Sequence, residues 1–577
     1  ENDVPSPRAS ALRRLAWLVP VLLALWVQRR ALGSFFAADD LIHLEQARAI
    51  LPTLLLPWRA LTQVLYFRGM LALFGPAPAP FLLVGLLLHA IDVGLLFALA
   101  LRLTRSRSLA LLAAGLFGVH PLALEVLFRA VGINETASCA FALGAALCFT
   151  GPRPRAGAGT ALFVLGLFCK ESILGLPLAL AATSWFTGGG RSAIRRVLPA
   201  AGIALAGIAV FVVLRARGLA PSGAGYAVHL GGNVFHNAMT YLLWALDWAH
   251  PLPDLVRSFD PHAWSVALPA LAVLLLFAWR GPQRNFVRWG FLWWAAALLP
   301  VLALENATYG YYAYASLAGL ATAIAAAVSS ALEWIAARGR FARAARGAVP
   351  VLVLAIAALR ADSLEAGRLR LALPGSDLPL DPLLRGIEVP RRAVLTMGND
   401  LPQDVRRAVV FSPPGLLSAY GARSGRAIAG AARGRAYLYL EAVLDSGRAL
   451  RVFYPQLDSV RVLRAWSAPY RDWSLYVQTG NGYLQHIGAG PGAHAHYARD
   501  LLAAGFGDVA RDYLGELVTA FPSETPVRFL YGAALARTGD AAGARAQLEQ
   551  VIRAAPDDTL ARLARRLLVK LPGPGGR

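Results

Sequence analysis

The residues able to do chemistry lie in five short stretches set among apolar neighbours. The first is Phe35-Phe36-Ala37-Ala38-Asp39-Asp40-Leu41-Ile42-His43. Two adjacent carboxylates in an apolar frame can bind a cation or a donor. Alternatively, one of them takes a proton from an attacking hydroxyl, helped by desolvation and its like-charged neighbour. The second runs from His120-Pro121 through Glu125 and Arg129 to Asn134-Glu135. Glu125 and Arg129 stand four apart, so on one helix they share a face and can pair. Arg129 also offers the rigid donor fork that grips a phosphate. The third is Lys170-Glu171, where the ammonium is a point charge able to meet a phosphate. The fourth and fifth are loops. Gly225–Pro251 carries Asn237, Tyr241, Trp244 and Trp248, and Glu305-Asn306 leads into Tyr309, Tyr311, Tyr312 and Tyr314. Both place polar groups under an aromatic rim, suited to stacking a sugar or holding a prenyl chain.

Each stretch has a plainer reading. Asp39 or Asp40 caps the helix beginning near Leu41. Glu125 and Arg129 form a structural pair, and Lys170-Glu171 is a surface turn between two spans. The aromatic loops anchor the chain at the membrane interface. Cys139, Cys148 and Cys169 have neither metal-ligand nor disulfide spacing and read as small buried side chains.

The elements that position these residues follow from composition. The chain has 577 residues, 57% hydrophobic and 16% charged, with a mean hydropathy of +0.50. That excludes a purely soluble enzyme, a disordered chain and a coiled coil. Lys and Arg exceed Asp and Glu by 56 − 34 = 22, which fits cytoplasmic loops that fix orientation rather than a nucleic-acid partner, since no dense basic domain occurs. Apolar runs at 12–28, 80–101, 109–127, 133–149, 160–186, 197–214, 266–279, 289–304, 312–330 and 347–360 are helical spans, with 160–186 able to cross twice. Arginine clusters, from Arg8, Arg13 and Arg14 to Arg338, Arg340, Arg343 and Arg346, alternate with the spans. They predict about eleven crossings with the N-terminus cytoplasmic and the C-terminal part outside. The stretch before Ala11 is too polar for a signal peptide, so the first span is expected to act as an uncleaved anchor.

The expected domains are a transmembrane part over 1–360, a small extracytoplasmic α/β domain over 361–490, and helical repeats over 491–577. Strand-like runs occur at Arg392–Met397, Arg435–Leu440, Leu450–Tyr454 and Trp473–Val477, and Gly398–Asp400 reads as a loop at a strand end. Gly505, Ala510, Leu514 and Pro522 recur as Gly539, Ala544, Leu548 and Pro556, a period of 539 − 505 = 34. That spacing resembles tetratricopeptide repeats, which serve either as a protein-binding surface or as a structural cap.

The ordered set resembles a family: the bacterial relatives of the transmembrane-and-tetratricopeptide protein O-mannosyltransferases. They belong to the GT-C class of membrane glycosyltransferases that use polyprenyl-phosphate sugars. The resemblance rests on Asp39-Asp40, His120-Pro121 with Glu125, and Phe168-Cys169-Lys170-Glu171 with Leu176-Pro177. It rests also on Asn237, Tyr241 and Pro251, and on Leu299-Pro300, Asn306 and Tyr311 to Tyr314. It covers about residues 10–330. Two positions depart from the family pattern: Ile133 in Gly132-Ile133-Asn134-Glu135, and Tyr311, each stand where the family has arginine.

The resemblance implies a polytopic α-helical fold of the GT-C kind in a bacterial inner membrane, with a periplasmic C-terminal part. It implies inverting transfer of a sugar from a polyprenyl phosphate or diphosphate to an extracytoplasmic acceptor, such as a protein hydroxyl. Asp39 or Asp40 would be the base. Arg129 and Lys170 would hold the leaving phosphate, oriented by Glu125 and Glu171. His120, Asn134, Glu135, Asn237, Tyr241, Glu305, Tyr311 and Tyr312 would line the substrate site. A divalent metal is compatible with the acidic pair but not required. The missing arginines support a competing reading, a non-catalytic scaffold or assembly subunit of a membrane complex. A transporter reading lacks the internal repeat between halves that such folds show.

Overall fold

A computed structural model describes residues 15–48, 59–150, 153–186, 190–217, 227–250, 252, 264–336, 341–373, 377–412, 440–478 and 482–572. The chain divides into two compact units. A membrane unit comprises Glu1–Phe35 and Ala49–Leu371, and a C-terminal unit comprises Phe36–Arg48 and Ala372–Arg577.

The membrane unit is a multi-pass helical architecture. Among the described residues five helices are long and apolar enough to cross a bilayer: Pro78–Thr104, Ala130–Phe149, Ile194–Ala216, Arg284–Leu302 and Gly310–Ile335. The number rises to seven if two bent helix pairs each count as one span. Pro78–Thr104 shows how burial sorts its faces. Leu83, Leu87 and Ile91, four apart, are exposed as a lipid-facing stripe, while Phe81, His89, Asp92 and Leu96 are buried.

Two expected spans are broken. The run 109–127 divides into Arg107–Gly118 and Pro121–Leu127, bent by 44°. His120 is extended there, and Pro121 starts the new turn. The run 160–186 divides at Phe168–Lys170, where Lys170 is extended, between Ala156–Leu167 and Glu171–Phe186. A break in an apolar region leaves carbonyls that need donors. Here Leu61 N–H donates to the Phe168 carbonyl at 3.1 Å and the Thr62 hydroxyl to that of Cys169 at 3.1 Å. The helix Phe341–Arg370 runs through residue 361, and the division between units falls after Leu371.

The C-terminal unit contains a four-stranded sheet of β1 (Arg407–Phe411), β2 (Ser459–Leu463), β3 (Ser474–Gln478) and β4 (Leu484–Gly488), in the order β2-β1-β3-β4. β1 runs parallel to both neighbours, with Ala408 opposite Val460 and Ser474, and β4 is antiparallel to β3. Of the expected strands, Trp473–Val477 matches β3. Arg392–Met397 does not: it lies inside the helix Pro382–Asp400, as do Gly398–Asp400. A six-residue apolar run fits either period, whereas the Asp381 carboxylate capping Leu383 and Leu384 and Pro382 at the first turn specify a helix. Leu450–Phe453 is also helical. Arg435–Tyr439 fall outside the described residues, and Leu440 opens the helix Leu440–Val443.

Five helices follow: Gly490–Ala503, Gly507–Ala520, Thr525–Arg537, Ala541–Ala554 and Thr559–Lys570. Gly505 and Gly539, one period apart, both take positive φ at the turns between them. The first helices share one core with the sheet, in which Phe411 stacks on Tyr513 at 5.1 Å and Val477 packs with Tyr497 and Leu517. The hydrophobic core is therefore continuous across residue 490.

The helix Ala38–Arg48 belongs to this unit, with Asp40, Leu41 and Leu44 buried. Phe36 meets Phe453 at 6.2 Å, and the Arg48 guanidinium donates to the Arg451 carbonyl.

Candidate functional site

Four of the singled-out residues line one pocket in the membrane unit: Glu135, Lys170, Tyr311 and Tyr312. Ser138 and Ser172 also line it, together with the apolar Ile173, Leu176 and Trp293. Glu135 comes from the first turn of the helix Ile133–Phe149. Lys170 comes from the break described above. Tyr311 and Tyr312 come from the turn Gly310–Ala313 that leads into the helix Tyr314–Ala336.

Lys170 and Glu135 are both buried and form an ion pair. The ammonium also sits over the rings of Tyr311, at 4.9 Å, and Tyr312, at 4.7 Å. The Arg129 guanidinium lies over Tyr311 at 4.4 Å. Two cations thus share one tyrosine ring, whose face attracts both. Gly132 makes the turn that sets Arg129 and Glu135. A Cβ there would lie 1.9 Å from the Val126 carbonyl oxygen.

The expected pairings differ from those found. Glu125 and Arg129 do not share a helix face, because the helix Leu124–Leu127 ends before Arg129, which is extended. Arg129 donates instead to the Glu125 backbone carbonyl, from Nε at 3.0 Å and Nη2 at 2.8 Å. The buried Glu125 carboxylate accepts from Arg368 at 2.5 Å. Lys170 takes Glu135 rather than Glu171 as its ion-pair partner. Glu171 pairs with Arg59, whose Nε lies 2.7 Å from Oε2 and whose φ of 68° is left-handed.

Other singled-out residues act as local supports. His120 caps its turn through Nδ1, donates from Nε2 to the Ala245 carbonyl at 3.0 Å, and meets Trp248 edge-on at 5.0 Å. Asn237 donates to the carbonyls of Leu302 and Leu304, at 2.9 and 2.8 Å, and accepts from Thr308 at 2.7 Å. Tyr241 is buried against Trp244, and Glu305 is exposed, its backbone N–H bonded to Ala227. Asn134 is buried, and its Oδ1 has no hydrogen-bond partner.

Asp39 and Asp40 lie in the other unit. Asp40 is fully buried, and its Oδ2 accepts the Ala37 N–H at 2.8 Å, closing the first turn of Ala38–Arg48. Asp39 is exposed. Among the described residues no group of three or more His, Cys, Asp or Glu is placed to hold a metal.

The structure adds Arg59, Arg368, His89 and Asp92 to the residues marked in the sequence. Arg59 and Arg368 supply the counter-ions of Glu171 and Glu125. His89, Tyr314 and Asp92 form a buried chain: His89 Nδ1 lies 2.6 Å from the Tyr314 hydroxyl, which lies 2.8 Å from Asp92 Oδ2. An ionisable pair three apart, His89 and Asp92, inside a long apolar run is the sequence signal for it. No family model matches the chain, and no curated protein matches it.

Proposed function

We propose that this chain is an inverting membrane glycosyltransferase of the GT-C kind that uses a polyprenyl-phosphate-linked sugar. One observation carries the reading. Glu135, Lys170, Tyr311 and Tyr312, drawn from three separate sequence stretches, meet around one cavity, with Arg129 on the ring of Tyr311. A phosphate entering there would take the Lys170 ammonium in exchange for Glu135, and Arg129 would add a second cation as charge accumulates on the leaving oxygen. Ile173, Leu176 and Trp293 offer apolar wall to the adjoining isoprene units. Tyr311 carries the departure from the family pattern, holding two cations by its ring where an arginine would add a third. The resemblance assigns the base to the acidic pair, of which Asp39 is exposed and Asp40 serves the helix turn. Single attack at C1 with one base gives inversion. In this reading the membrane is the bacterial inner membrane, crossed about eleven times. The C-terminal unit is periplasmic, and its tetratricopeptide-like helices receive the acceptor protein.

A second reading, the non-catalytic scaffold, is favoured by the internal pairing of the site's ions: Lys170 with Glu135, Glu171 with Arg59, and Glu125 with Arg368. The deciding experiment incubates purified protein with radiolabelled polyprenyl-phosphate and polyprenyl-diphosphate sugars and a periplasmic extract. Label entering protein supports the transferase. Its absence with every carrier moves the assignment to the scaffold.

A further inference from the structure

The last helix, Thr559–Lys570, reads TLARLARRLLVK and contains four cations and no acid. The 3.6-residue period puts Arg562, Arg565, Arg566, Val569 and Lys570 on one face, at i, i+3, i+4, i+7 and i+8. Burial follows that period. Ala561 is buried and Ala564 is buried in the cluster of Leu548 and Val551, whereas the four cations are exposed. The same outer surface exposes Leu563 and leaves Val569 86% accessible.

The cations are not neutralised locally. Arg562 donates to the Thr559 hydroxyl and Arg565 to the Pro556 carbonyl, both at 3.0 Å. Among the described residues none of the four pairs with a carboxylate. In the helix Gly507–Ala520, by contrast, Arg511 pairs with Asp508 and Asp512. A terminal cap that only keeps a helical stack soluble needs a polar outer face. It needs neither a single sign of charge nor an exposed valine among arginines. Exposed apolar side chains framed by Lys and Arg are what an interfacial helix presents to a lipid surface.

We propose that the outer face of Thr559–Lys570 binds the surface of an anionic bilayer. Arg562, Arg565, Arg566 and Lys570 would contact lipid phosphates, and Leu563 and Val569 would enter the headgroup boundary. The occupant follows from charge complementarity and from tethering. The chain is a multi-pass membrane protein, so a bilayer is present at high effective concentration wherever this helix is. The inference does not depend on the transferase reading.

The test uses the full chain in nanodiscs of phosphatidylcholine alone or with phosphatidylglycerol, followed by hydrogen exchange of residues 559–570. Exchange should slow by roughly tenfold or more in the anionic discs, with the effect lost in high salt. The variant Arg565→Glu, Arg566→Glu should lose it while the helix Gly507–Ala520 exchanges as before. Equal exchange in both discs overturns the proposal, as does protection in neutral discs that salt does not weaken. Protection that appears only when an acidic periplasmic protein is added assigns the face to a protein partner and overturns the lipid assignment.

Discussion

Lys170 and Glu135, 35 positions apart, form a buried ion pair beneath the rings of Tyr311 and Tyr312. Breaking one side of such a pair leaves a buried uncompensated charge, which costs about 3–5 kcal/mol. Lys170→Met should therefore lower the detergent melting temperature markedly. Adding Glu135→Leu should restore most of it, since an apolar pair is tolerated where a lone charge is not. Transfer should stay lost in the restored double variant. Recovery of activity together with stability would show that the pair is structural.

The acidic pair separates by role. Asp40→Ala removes the acceptor for the Ala37 N–H and should destabilise the first turn of Ala38–Arg48 by about 1 kcal/mol, read by local hydrogen exchange. Asp39→Asn should leave stability unchanged and lower turnover by about two to four orders of magnitude with little change in donor binding. Full turnover in Asp39→Asn would move the base elsewhere.

In the C-terminal unit, His494 is buried with its Nδ1 2.5 Å from the Tyr513 hydroxyl, and burial lowers its pKa to about 4. The unfolded chain, with an ordinary histidine near 6.5, binds a proton that the folded unit refuses. Stability is full above about pH 6.5 and falls as the pH drops toward 4, by on the order of 3 kcal/mol. Hydrogen exchange of Gly490–Ala520 across that window should show the loss, and His494→Phe should flatten it.

Truncations should distinguish the two apolar clusters of the tail. Ending the chain after Thr538 removes the cluster of Leu548, Val551 and Ala564 and should leave the sheet folded. Ending it after Gly488 uncovers Phe411, Trp466 and Val477 and should produce aggregates on size exclusion in detergent.

The sequence carried the long elements and the residue types of the site, but not its pairings. The apolar run around His89 and the 34-residue spacing of Gly505 and Gly539 are strong periodic signals, and each has a helical counterpart. Lys170 and Tyr311 were visible as polar groups in apolar surroundings, which is why they stood out. The pairings are not legible, because Glu135 reaches Lys170, Arg59 reaches Glu171 and Arg368 reaches Glu125 through tertiary packing across separations of 35, 112 and 243 positions. The strand assigned to Arg392–Met397 failed for a local reason. Its six residues fit both periods, and the deciding cap, Asp381, lies eleven positions earlier by 392 − 381.

The insertion of Phe36–Arg48 into the C-terminal unit has a consequence for biogenesis. Arg48 finds its partner at Arg451, 403 positions later. At about 5–20 residues per second of synthesis, that helix waits roughly 20–80 s for its partner segment to be made. Until then Leu41 and Leu44, buried in the finished unit, have no native surface to cover them. The helix Ala38–Arg48 is thus made long before the segment around Arg451 that it joins, and the C-terminal unit assembles only once both are present.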